Sequence, residues 1–158
     1  MNTSEKPFVL TESLEDYLEA IKELILDSGH GHAHTSSIAK RLNVRMPSVT
    51  NAMNVLREHG YVEYVTNRPV TLTEKGDREA ERVRRRHRVL KNFFQRVLLL
   101  PEQEASDVAC RIEHVVNDDL QERFAFLTAE LVDTGRLKGL QKRLSKQFDE
   151  ESNPEESP

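Results

Sequence analysis

Three consecutive stretches decide the fold: Thr35-Ser-Ser-Ile-Ala-Lys-Arg-Leu-Asn-Val44, Arg45-Met-Pro-Ser-Val-Thr-Asn-Ala-Met-Asn-Val-Leu-Arg-Glu-His-Gly60 and Tyr61-Val-Glu-Tyr-Val-Thr-Asn-Arg-Pro-Val-Thr-Leu-Thr73. In the first, Thr35 or Ser36 can cap a short helix that turns Ile38, Ala39 and Leu42 inward. Asn43 and Val44 form a tight connection. In the second, Pro47 suits a first helical turn, because its φ is fixed and its missing N–H costs nothing there. Val49, Met53 and Leu56 fall at i, i+4, i+7 on one apolar face, and Gly60 stands where the helix must stop with φ > 0. The third stretch holds two β-rich runs, Tyr61 to Val65 and Val70 to Thr73, with Thr66 to Pro69 as the turn. Helix, turn, helix, hairpin is the order of a winged helix-turn-helix. Ser48, Thr50, Asn51 and Asn54 lie off the apolar face as uncharged polar residues, the kind that reads base edges. Asn67 and Arg68, at the tip of the wing, are the other residues expected to face DNA.

Length and composition bound the rest. The chain has 158 residues, enough for one domain or two small ones. Its hydrophobic content of 37% supports a small core and leaves burial against a second subunit open. The net charge of −4 is unusual for a DNA binder, whose affinity comes largely from phosphate contacts. The acidic, proline- and serine-containing end, Asp149 to Pro158, contributes to that sum without belonging to a core. The densest basic run is Arg82, Arg84, Arg85, Arg86 and Arg88, either a solvated helix face or a phosphate contact. A single cysteine excludes an internal disulfide. The N-terminus has no secretory pattern and no apolar run reaches membrane-spanning length, so a cytoplasmic protein is expected.

Residues 1 to 10 read as a loose arm. Thr11 or Ser13 then caps a helix to about Asp27 with Leu14, Leu18, Ile21 and Ile25 on one stripe. Asp16 and Glu19, at i and i+3 opposite that stripe, repel each other unless water or a cation intervenes; alone they describe an ordinary wet face. His30, His32 and His34 alternate in a glycine-containing loop, a pattern that is more often incidental than metal-binding. From Glu74 to about Leu98 one long helix is expected, with Ala80, Val83, His87, Leu90, Phe94 and Val97 forming a seam. His87 in that seam is a satisfied core residue or a ligand facing a cleft.

The next helix is expected from Pro101 to Val116, with Val108, Ile112 and Val115 buried. Cys110, Glu113 and His114 would then share the opposite face at i, i+3, i+4. Thiolate, carboxylate and imidazole converging on one spot suit a metal ion. Asn117 caps a further helix carrying Leu120, Phe124, Leu127 and Leu131. This is more apolar helix surface than one small bundle can bury, which points to a symmetric dimer suited to two DNA half-sites. Gly135 to Phe148 reads as a short basic amphipathic helix.

Taken together, Leu14-Glu-Asp-Tyr-Leu-Glu-Ala-Ile21, Pro47-Ser-Val-Thr50, Val70-Thr-Leu-Thr-Glu-Lys-Gly76, Arg86-His87 and Cys110-Arg-Ile-Glu-His114 resemble the diphtheria toxin repressor family of metal-dependent transcriptional regulators. The resemblance covers about residues 10 to 131. It implies a mostly α fold: a winged helix-turn-helix over 1–75, an all-helical dimerisation and metal-binding domain over 76–145, and an acidic tail over 146–158. No sequence remains for the SH3-like third domain of longer members, so the short architecture looks like the manganese transport regulators.

By that resemblance the metal ligands would be Asp16, Glu19, His87, Cys110, Glu113 and His114, and Arg45, Pro47, Ser48 and Asn51 fall at DNA-contacting positions. Asp16 is the choice of the manganese branch and Cys110 that of the iron branch. Lys91 and Ser106 stand where the iron branch places an acid and a histidine of a second site, which argues against such a site here. The implied function is repression of manganese or iron uptake genes by a homodimer on double-stranded operator DNA. Mn²⁺ is the first choice of cofactor and Fe²⁺ the second, with one or two ions per subunit. The alternatives are a winged-helix regulator of a non-metal signal and a metallohydrolase, the latter lacking any acid/base pair or substrate loop.

Overall fold

The structure, a computed structural model, describes residues 8–151. It divides into two compact units that meet within one helix, between Arg84 and Arg85.

The first unit opens with α1 (Glu12–Ser28). The Thr11 hydroxyl accepts from Leu14 N–H at its start, and Gly29 closes it in the left-handed region (φ 68°). α2 (Thr35–Leu42) ends at Asn43, a non-glycine residue with φ 52°, a conformation asparagine tolerates better than most. α3 (Met46–Glu58) carries Pro47 in its first turn and buries Val49, Ala52, Met53 and Leu56. Gly60 (φ 74°) follows and lets the chain turn at once into the wing.

The wing is smaller than expected. β1 (Val62–Glu63) and β2 (Thr71–Leu72) pair antiparallel, Val62 against Leu72 and Glu63 against Thr71. An isolated bridge from Ala33 to Val70 extends the hairpin on its other side. Tyr61, Val62, Tyr64 and Val70 are buried with Leu18, Ile21, Ile38, Val49, Met53 and Leu56 in a single core.

α4 (Glu74–Arg96) begins where the wing ends. Gly76 is essential there, since a Cβ would overlap the carbonyl oxygen of Tyr61, whose carbon lies only 2.8 Å away. Thr73 secures the same junction: its one hydroxyl hydrogen is shared between the Gly60 and Tyr61 carbonyls (2.7 and 3.0 Å), and its oxygen accepts from Gly76 N–H (3.0 Å). Lys75 Nζ donates to the His59 carbonyl (2.9 Å) and lies 4.0 Å over the Tyr61 ring.

The second unit takes the rest of α4 with α5 (Glu102–Ile112), α6 (Asp118–Asp133) and α7 (Leu137–Glu151). Leu90, Phe94, Ala105, Ala109 and Val116 form its core, with Phe93, Val108, Ile112 and Phe124 packed against it. The Asn117 side chain caps α6, accepting from Leu120 N–H at 2.9 Å. α7 runs to Glu151, into the stretch expected to be tail; the arm up to residue 7 and the end from residue 152 lie outside the described residues.

Two expectations for α5 are corrected. The helix stops at Ile112, four residues short of Val116, and residues 113–115 form a turn. Val115 is therefore 74% exposed instead of buried, and Glu113, expected on the polar face, is fully buried because it continues the stripe of Ala105 and Ala109. Cys110, expected beside Glu113, is exposed while Glu113 is buried.

Candidate metal centre and DNA-binding face

Glu113 is the least expected feature of the second unit. It is fully buried, and a buried carboxylate is costly unless it is hydrogen-bonded and its charge is compensated. Its Oε2 lies 2.7 Å from His87 Nδ1. Its Oε1 has no hydrogen-bond partner among the described residues, and His114 Nε2 stands 3.6 Å away, too far for a hydrogen bond. One carboxylate thus faces two imidazoles with an acceptor oxygen unused. That donor set, oxygen with two ring nitrogens, fits a divalent first-row cation.

Each member has a structural reason to be there. His87 sits on α4 one position beyond the buried Arg86, on the edge of the seam. Glu113 caps α5 in helical geometry, its N–H on the Ala109 carbonyl, and continues the buried stripe of Ala105 and Ala109; His114 follows in the turn. His87 Nε2 is held by Ser106 Oγ at 3.2 Å.

Asp16 and Glu19, the other two carboxylates implied by the resemblance, sit half-buried on α1 in the first unit. Between them Tyr17 is buried, and its phenol is pushed above its ordinary pKa of 10, first by burial and then by the Asp16 carboxylate. Neither Cys110 nor the loop histidines join any group of three ligand-type side chains among the described residues. The rings of His30 and His32 stack at 5.7 Å, and His32 meets His34 edge-on at 5.4 Å.

Of the residues expected to meet DNA, Arg45, Pro47, Ser48 and Asn51 are exposed at the start and along the outer side of α3. Thr50 and Asn54 are half-buried, and the Thr50 hydroxyl donates back to the Met46 carbonyl (3.2 Å), a bond that competes with base contact. Asn67 (φ 64°) makes the tight wing turn with Arg68 exposed beside it. The basic run on α4 is largely engaged internally: Arg82 with Glu79, Arg84 with Glu81, and Arg85 with Glu122 on α6, while Arg86 is only 4% exposed. Charge counting along the sequence missed this, because the glutamates lie three positions earlier or on another helix.

Residues 9–70 match the N-terminal DNA-binding domain of iron dependent repressors, and residues 73–131 match their metal-binding and dimerisation domain. The chain belongs to the iron dependent repressor family. Its members are metal-dependent, DNA-binding transcriptional repressors and not enzymes. An HTH-type transcriptional regulator of Methanocaldococcus jannaschii is 36% identical over 124 residues, 78% of this chain and 98% of that protein. The transcriptional regulator MntR of Oceanobacillus iheyensis is 34% identical over 144 residues, 90% of this chain and 95% of the relative. Among solved structures, T. acidophilum IdeR aligns with a TM-score of 0.63 and 33% identity over 74% of this chain. A manganese-dependent transcriptional repressor in complex with manganese aligns with a TM-score of 0.65 and 29% identity over 73%. This chain spans 53% and 52% of those two structures, about half their length. Like the family's other members, it has a DNA-binding and a metal-binding domain; no described helix is long and apolar enough to cross a membrane.

Proposed function

We propose that this chain represses manganese or iron uptake genes in the cytoplasm, binding operator DNA as a metal-loaded homodimer. The observation that carries the reading is the wholly buried Glu113, with one oxygen on His87 and the other without a hydrogen-bond partner. Glu113, His87 and His114 would hold the ion, with Asp16 and Glu19 completing the ligand set from α1. Cys110, exposed on α5, is the weakest member of the set. A bound divalent ion supplies positive charge among these carboxylates.

The chain's own residues do the rest. Without a cation, Asp16, Glu19 and Glu113 repel one another, and α1 has no electrostatic reason to be held toward the second domain. With their charge compensated, the winged helix-turn-helix is tied to the dimerisation domain and two α3 helices keep a fixed half-site spacing. A coupling of ~1–3 kcal/mol between sites changes occupancy five- to 150-fold, enough for a switch. Three carboxylates and two imidazoles make a predominantly hard donor set, which suits Mn²⁺ first and Fe²⁺ second. The manganese-bound relative and the MntR proteins support the same order.

Asn51, Ser48, Arg45 and Pro47 form the DNA-reading edge, with Asn67 and Arg68 on the wing; Thr50 and Asn54 contribute less directly. An operator mobility shift across Mn²⁺, Fe²⁺, Zn²⁺ and Co²⁺, with a chelator control, tests the reading. Metal-independent binding would favour a winged-helix regulator of another signal.

A further inference from the structure

Resting on the metal-centre reading above, we infer that Ser106 is a positioning residue for His87, holding Nε2 so that Nδ1 faces Glu113. The second unit brings α4 and α5 together through two adjacent rungs. His87 and Lys91 are one turn apart on α4, and Glu102 and Ser106 are one turn apart on α5. His87 Nε2 meets Ser106 Oγ at 3.2 Å, and Lys91 Nζ meets Glu102 Oε1 at 2.9 Å. The second rung joins the same two helices one turn further along.

An imidazole on an open torsion has two faces and two nitrogens to offer, and its terminal torsion is broad. Ser106 removes that freedom. With Nε2 engaged, only Nδ1 remains for Glu113, and it lies 2.7 Å from Oε2. A hydroxyl suits this place because it both donates and accepts, so its bond to Nε2 survives whichever ring nitrogen carries hydrogen. A fixed donor such as an ammonium would bind only one form. With Nε2 on the serine hydroxyl, Nδ1 is the nitrogen kept for the ion.

Partners of this kind orient ligating histidines, and losing one typically weakens metal affinity by about 10- to 100-fold. The test compares Ser106→Ala and Ser106→Thr with the unchanged chain. Long-range ¹H–¹⁵N spectra of the metal-free proteins report which His87 nitrogen bears hydrogen, and competition titration with Mn²⁺ reports affinity. Ser106→Ala should alter the His87 ring-nitrogen shifts and lose affinity within that range, while Ser106→Thr, which keeps the hydroxyl, retains both. Unaltered ring shifts or unaltered affinity in Ser106→Ala would overturn the assignment, as would equal losses in the two variants. If the unchanged chain fails to bind Mn²⁺, the metal-centre reading falls, yet the metal-free spectra still decide whether Ser106 sets the ring.

Discussion

His87 Nδ1 and Glu113 Oε2 lie 2.7 Å apart at the junction of α4 with the turn after α5, and the glutamate of that pair is wholly buried. An apolar side chain of similar size would satisfy packing at this position more cheaply than a carboxylate. A carboxylate kept here is the observation on which the proposed metal-binding role rests. Glu113→Gln keeps the shape and an acceptor for His87 while removing the charge. Metal-free Glu113→Gln should melt at or above the temperature of the unchanged chain, and the rise in melting temperature on adding Mn²⁺ should vanish. A Mn²⁺-induced rise equal to that of the unchanged chain would exclude Glu113 as a ligand.

Gly76 carries the junction of wing and long helix. Gly76→Ala drives a methyl into the Tyr61 carbonyl, which is backbone and cannot swing aside. Overpacking of this kind costs ~1–3 kcal/mol. Chemical denaturation should register a loss of at least that size, and a neutral result would mean the wing relaxes without penalty.

Asn51 is exposed on the outer side of α3, while the Thr50 hydroxyl is occupied by its own helix. Asn51→Ala should weaken specific operator binding by ~1–3 kcal/mol and relax preference at one base pair per half-site. Thr50→Val should matter less. Equal losses on operator and random DNA for Asn51→Ala would remove it from direct readout.

Of the α6 stripe legible in sequence, Leu120 and Leu127 are exposed in the single chain, and Phe126, outside that stripe, is 71% exposed. Contiguous apolar surface of this kind marks an interaction site, here a second copy in a dimerisation domain. Replacing Phe126 and Leu127 together by glutamate should leave the chain monomeric at micromolar concentration by sedimentation. A dimer unaffected by both changes would place the interface elsewhere.

The winged helix-turn-helix could be read from the chain because local signals coincide there: Thr11 and Pro47 at helix starts, Asn43 and Gly60 at stops, and an i, i+4, i+7 stripe in α3. The metal centre was legible in residue type but not in geometry. The stripe of Val108, Ile112 and Val115 put Glu113 outside, whereas the buried face runs through Ala105, Ala109 and Glu113 at i, i+4, i+8, and alanines do not announce a core face; Val115 is exposed because α5 ends before it. No sequence period encodes where a helix stops when its end lacks glycine or proline. The role of Ser106 was hidden for a related reason, since its partner lies nineteen residues away on another helix.

The one soft side chain of the proposed ligand set offers a test of metal choice. Cys110 is exposed on α5. Cys110→Glu should sharpen the preference for Mn²⁺ over Fe²⁺, and Asp16→Met should shift it toward Fe²⁺. Anaerobic titration of both variants against operator DNA checks this; unchanged ratios in both would mean that neither side chain sets selectivity.

Coupling between metal and DNA is most directly measured by fluorescence anisotropy of labelled operator, titrated with the unchanged chain and with Glu113→Gln, each with Mn²⁺ and with excess chelator. The unchanged chain should bind tightly with Mn²⁺ and five- to 150-fold more weakly with chelator, the range of an ordinary allosteric coupling. Glu113→Gln should bind at the weaker level in both conditions. Equal, tight binding by the chelated and metal-loaded chain would contradict a metal-controlled repressor.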